Sequence, residues 1–164
     1  MLALASNDSV APFSPVFFTF HNNQVVNPGI TDSDSAGTVY ATFHFISQSI
    51  RSRNDTILAD TSTVTVRVDV TPGEFGFLIG PSTLFFNTAG SPTVDLSYTK
   101  SADFSVFDSS ARYATPSDFD QALELWYEYG ADQWRPTRNS AHSGPSLISA
   151  ALDQPGTYII AARK

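Results

Sequence analysis

The sequence predicts an all-β chain: an antiparallel β-sandwich of about nine or ten strands, immunoglobulin-like or jelly-roll in layout. Three observations predict it. Short runs rich in Val, Thr, Phe and Tyr alternate apolar and polar residues with period two. Turn-forming Gly, Pro, Asn and Asp recur at intervals of roughly ten residues. No amphipathic segment of ordinary helix length interrupts them, which excludes a doubly wound α/β fold.

The first strand is expected over residues 14–20 (SPVFFTF) and the second over 38–46 (TVYATFHFI). Thr63–Val70 (TVTVRVDV) alternates most cleanly. Val64, Val66, Val68 and Val70 point one way, and Thr65, Arg67 and Asp69 the other, so one face is dry and one wet, as in an antiparallel sheet. Pro72-Gly73 turns the chain into a strand over 75–79, which Gly80-Pro81 ends. A short strand follows over 83–87. The run 93–99 (TVDLSYT) places Val94, Leu96 and Tyr98 inward. Residues 122–129 and 157–162 are the late strands. Polar loops are expected at 22–37, 47–62, 108–120 and 136–145, and one helical turn at Pro116–Gln121 with Ser117 as its N-cap.

One domain is expected over residues 14–164, preceded by a flexible N-terminal arm over 1–13. The opening Met1-Leu2-Ala3-Leu4-Ala5-Ser6 also has the Ala-x-Ala form of a signal-peptide tail, without its basic and hydrophobic regions. Charged residues make up 15% of the chain against a usual share of about 25%. Ser, Thr and Asn cover the surface instead, in the manner of secreted β-rich modules. The formal net charge is −7 with only 9 Lys and Arg. Arg51 and Arg53 form the densest basic pair, so a nucleic-acid partner is not expected. No apolar run approaches the roughly 20 residues a membrane helix needs. The chain has no cysteine, which rules out disulfides, thiolate metal sites and a Cys nucleophile.

The order of markers in the second half carries a resemblance. Phe75-Gly76-Phe77-Leu78-Ile79-Gly80-Pro81 leads into Thr83-Leu84-Phe85-Phe86, then Pro92-Thr93-Val94-Asp95-Leu96-Ser97-Tyr98. Leu123-Glu124-Leu125-Trp126-Tyr127, Trp134-Arg135-Pro136 and Gly156-Thr157-Tyr158-Ile159-Ile160-Ala161-Ala162 complete it. This order resembles immunoglobulin-like β-sandwich modules of bacterial surface and secreted proteins, over residues 63–164. Some related sandwiches cleave themselves at a His-Phe-Ser motif near the last strands. Here that region reads Leu152-Asp153-Gln154-Pro155-Gly156-Thr157-Tyr158, so the resemblance implies no self-cleavage.

Motifs for chemistry are sparse. The three histidines, His21, His44 and His142, lie near no Gly-x-Ser-x-Gly elbow, and a structural or solvent role is expected for each. Asp32-Ser33-Asp34-Ser35-Ala36-Gly37 resembles the start of a calcium loop. Its fifth position is Ala36 and its twelfth Phe43, where an EF-hand needs an oxygen ligand and a bidentate Glu. An Asx/Ser turn is the better reading. Glu124 and Glu128 share one strand face at about 13 Å, too far apart for a glycosidase pair. No catalytic residue, cofactor or metal ligand is therefore assigned.

Trp126 and Trp134 are the ligand-binding candidates, since sugar-binding sandwiches stack ligands on exposed aromatics. Packing as core or lid is the stronger reading for both. The expected function is a non-catalytic structural or adhesive module acting through protein–protein contacts or self-association, in an extracellular or particle-surface assembly. A viral coat or decoration protein, whose N-terminal arm clasps a neighbour, and a carbohydrate-binding module are the alternatives.

Overall fold

The computed structural model describes residues 1–7, 11–34, 36–99, 102–109 and 112–164. Two antiparallel sheets face each other. The larger holds β3 (Val16–His21), β8 (Thr63–Val70), β9 (Gly76–Gly80), β17 (Gly156–Ala162), β13 (Glu124–Gly130) and β14 (Gln133–Pro136), in that spatial order. A seventh strand, β1 (Leu2–Ala3), pairs with β17 beyond the end of β9. The smaller sheet runs β4 (Gly29–Thr31), β5 (Val39–His44), β11 (Thr93–Ser97), β16 (Leu147–Ala151) and β15 (Ala141–Gly144). A three-stranded flank, β7 (Thr56–Ile57), β6 (Ile50–Arg53) and β10 (Leu84–Phe86), and a small pair, β2 (Ala5–Ser6) with β12 (Ala102–Asp103), complete the strands.

Period-two alternation builds the core from both sheets. Val64, Val66 and Val68 are fully buried, as are Ala41 and Phe43 on β5, Val94 and Leu96 on β11, and Ile148 on β16. A row of aromatic rings crosses the interior from β3 to β13. Phe18 lies 5.8 Å from Phe43, Phe43 5.1 Å from Phe77, Phe77 5.3 Å from Tyr158, and Tyr158 5.0 Å from Tyr127. These separations fit tilted and offset pairs, each of which adds about 0.5–1.5 kcal/mol to the burial of its rings.

Two polar contacts fix this core. A bulge in the β4–β5 pairing turns both Tyr40 and Ala41 inward. The Tyr40 hydroxyl then crosses to the other sheet, donating to Gly76 O and accepting from Gly76 N, each at 2.9 Å. Gly76 is required there, because a Cβ would sit 2.3 Å from the Tyr158 carbonyl oxygen. The Tyr158 hydroxyl donates to Gln154 O and accepts from Gln154 N at 3.1 Å. Burial raises its pKa well above the usual tyrosine value, against the opposing pull of the bond to Gln154.

An aromatic cap closes one end. A 3-10 helix (Phe104–Ser109) and α1 (Pro116–Gln121) bring Phe104 to 6.4 Å from both Tyr98 and Phe119, and Tyr113 to 5.4 Å from Phe119. No described helix is long and apolar enough to cross a membrane.

Several expectations are corrected. The described residues form 17 strands, not nine or ten. The additions are short segments: β1 and β2 near the start, β4 within 22–37, β6 and β7 within 47–62, β12 after the 93–99 run, β14 after the 122–129 run, β15 within 136–145, and β16 just after it. The expected arm is not loose over Leu2–Ser6. Leu2 and Leu4 alternate inward to 8% and 0% exposure, Leu4 N donates to Ile160 O, and Ser6 N to Gly73 O, each at 2.9 Å. Asp8–Val10 lie outside the described residues. The cap of α1 is Thr115 rather than Ser117: Pro116 takes the first helical position, and Thr115 Oγ1 accepts from Asp118 N at 3.1 Å.

Candidate functional site

The outer face of the larger sheet gathers the two tryptophans. Trp126 and Trp134 sit on strands joined by the Gly130–Gln133 hairpin, with Glu128 opposite Trp134 and Trp126 opposite both Pro136 and Ile159. Trp126, Ile159 and Ala161 form a small cluster with Ala3 and Trp134 packed against it. Trp126 is only 8% exposed, and its indole N–H is buried without a hydrogen-bond partner. Its ring therefore serves as a lid over Ile159 and Ala161, and most of its surface is taken by packing. Trp134 is half-buried beside it. Glu124 and Glu128 share this face, as the alternation on β13 requires.

The other end of the same face is open. Phe17 on β3 is 60% exposed and Leu78 on β9 is 45% exposed. With Arg53, Arg67, Asp69 and Pro81 they line a groove of about 650 Å³. Arg67 forms a bidentate pair with Asp69 at 2.7 and 2.8 Å, and its guanidinium lies 5.9 Å from the Phe17 ring centre. The hydrogen bond to Asp69 raises the pKa of Arg67 further. The sequence carried part of this signal: Phe17 occupies an outward position in its alternating run.

The outer face of the smaller sheet is a polar line. His44 Nδ1 lies 2.9 Å from Asn27 Oδ1, and His44 Nε2 2.9 Å from Asp95 Oδ2. Ser149 donates to Asp95 Oδ1, and its Oγ lies 2.6 Å from Ser143 Oγ. Serine, histidine and aspartate thus meet, but in an order unlike a nucleophile triad. The carboxylate stands between Ser149 and His44, whereas an attacking serine needs the imidazole beside it and the carboxylate behind. Asp95 accepts from both neighbours and ties β5, β11 and β16 together. The expected structural role of His44 takes this concrete form.

The remaining candidates separate. His142 Nδ1 lies 3.4 Å from the Tyr98 hydroxyl, which donates to Asp120 at 2.7 Å. Burial first, and the Asp120 carboxylate second, raise the Tyr98 pKa. His21 Nδ1 meets Thr63 Oγ1 at 3.3 Å. Asp34 accepts from the backbone and hydroxyl of Thr38, closing the expected turn, of which Ser35 lies outside the described residues. Among the described residues no three His, Cys, Asp or Glu side chains gather as a metal cluster. No family model, no curated protein and no solved structure matches this chain.

Proposed function

We propose that the chain is a non-catalytic structural or adhesive β-sandwich module that works through protein–protein contacts in an extracellular or particle-surface assembly. One observation carries the reading. His44, Asp95 and Ser149 are engaged in cross-strand hydrogen bonds, while exposed apolar side chains, Phe17 and Leu78, collect beside Arg67 in one groove of the sheet face. Aromatic and Arg side chains are the residues that anchor protein interfaces. The sparse charge of the chain fits an extracellular or particle surface, and its cysteine-free composition fits a bacterial extracellular protein as well as a cytosolic one.

The bond from the Tyr158 hydroxyl to the backbone four residues upstream supports the immunoglobulin-like resemblance, since such sandwiches carry a tyrosine corner of this kind. The sheets are larger than the seven- or nine-strand immunoglobulin layouts. The resemblance therefore rests on the corner and the marker order rather than on strand count.

The test is a panel of ester, glycoside and peptide substrates offered to the purified chain. No turnover is expected. Turnover abolished by His44→Ala, Asp95→Asn or Ser149→Ala would overturn the reading.

A further inference from the structure

The edge of the larger sheet at β3 is open in a self-complementary way. Antiparallel pairs alternate between hydrogen-bonded and non-hydrogen-bonded positions. Asn22 N donates to Ser62 O, so position 22 is bonded toward β8. Stepping by two along the β3–β8 register, Phe20, Phe18 and Val16 are bonded toward β8 as well. Phe17, Thr19 and His21 then point their N–H and C=O groups away from the sheet. His21 bears this out: its N–H donates to Gln24 Oε1 at 2.8 Å and its C=O accepts from Gln24 N at 2.9 Å. The outward groups of Phe17 and Thr19 meet no described residue.

Other edges of the two main sheets are short or blunted. β14 has four residues, ending in Arg135 and Pro136, and β4 has three, preceded by Pro28. β15 carries a bulge between His142 and Gly144. β3 alone among these presents a run of five residues, Val16–Phe20, with no charged side chain, Pro or bulge inside it, Pro15 lying just before its start. Proteins ordinarily protect such an edge, because its free backbone groups template strand addition.

We propose that β3 pairs with β3 of a second copy of this chain across a two-fold axis through Phe18. The inference rests on the contact-based reading above and names the contact. The axis places Phe17 opposite the partner's Thr19, and Thr19 opposite the partner's Phe17, both at hydrogen-bonded positions. Four backbone bonds form, and all four free groups of the edge are used. Phe18 meets its own copy at the non-hydrogen-bonded position on the axis, and the exposed Phe17 ring packs beside the partner's Thr19. An isologous interface demands this reciprocity. The chain is acidic, yet the paired segment is uncharged, so two copies approach there without facing carboxylates across the seam.

Light scattering or sedimentation of the full chain from about 1 μM to 1 mM tests it. Wild type is expected at twice the monomer mass in the upper range. Phe17→Lys, on an exposed side chain, is expected to return it to monomer with unchanged circular dichroism, and Thr19→Pro to do so by removing one edge donor. The chain has no cysteine, so Phe18→Cys supplies a unique thiol. Its Cα would lie about 4.5 Å from its copy, within disulfide range, and oxidation is expected to give a covalent dimer. A monomer throughout the range, a dimer that survives Phe17→Lys, or a dimer in which Phe18→Cys does not cross-link would overturn the proposal. None of these outcomes touches the non-catalytic reading, which only substrate turnover removes.

Discussion

The two outer faces of the sandwich solve the same problem by opposite means. On the larger sheet, Trp126 lies over Ile159 and Ala161, and the face is held by apolar contact. On the smaller sheet, Asn27, His44, Asp95, Ser149 and Ser143 hold five neighbouring segments by hydrogen bonds. The dry face gains from area removed from water and is insensitive to pairing chemistry. The wet face gains from specificity, because each member meets particular partners and loses them when the register slips. The dry face leaves apolar surface exposed at Phe17 and Leu78, the surplus on which the proposed contact role rests.

Substitutions can separate the two modes, beginning with the most damaging. Gly76→Ala forces a Cβ against the Tyr158 carbonyl, a backbone atom that cannot step aside. A loss of about 3 kcal/mol or more, or failure to fold, is expected in chemical denaturation. Trp126→Ala empties the lid of the dry cluster and is expected to cost about 3 kcal/mol. Trp126→Phe should recover most of that, since the indole N–H has no partner to lose. On the wet face, Asp95→Ala strips the acceptor from His44 and Ser149 together and should cost about 1–3 kcal/mol. His44→Ala removes two partly exposed bonds, to Asn27 and Asp95, and a change of about 1 kcal/mol or less is expected. A Trp126→Ala protein no less stable than His44→Ala would erase the distinction between the faces.

The core between them answers to alkali. Tyr98 and Tyr158 both have pKa values raised in the folded state. A raised phenol contributes stability that is complete below the unfolded value of about 10 and is lost as pH climbs toward the folded value. Melting temperature is expected to hold steady below pH 10 and fall above it, with Tyr158→Phe falling less steeply.

The central strands were legible because their signal is local. Val64, Val66 and Val68 alternate with Thr65, Arg67 and Asp69, and nothing else in the chain need be known to place them. The strands that escaped lack that signal. β16 (LISAA) packs small Ala150 inward, and β6 (IRSR) exposes two arginines. Both become strands because a neighbour offers its edge. The polar line escaped for a related reason. His44, Asp95 and Ser149 each stand at an outward position, which alternation predicts. That they touch depends on the registers of β5 on β11 and β11 on β16, set by contacts more than 40 residues apart along the chain. Alternation on β13 places Trp126 on one face with Glu124 and Glu128, and its near-complete cover follows from Ile159 and Ala161 on the neighbouring β17.

The Tyr40 hydroxyl closing on Gly76 has a consequence for alignment. A purely hydrocarbon interface between two sheets tolerates small slides, because one methyl is a fair substitute for the next. A hydroxyl that must meet one amide and one carbonyl of the same residue tolerates none. Tyr40 therefore works as an index pin between the layers, selecting one relative position from a set that packing alone would leave nearly equal.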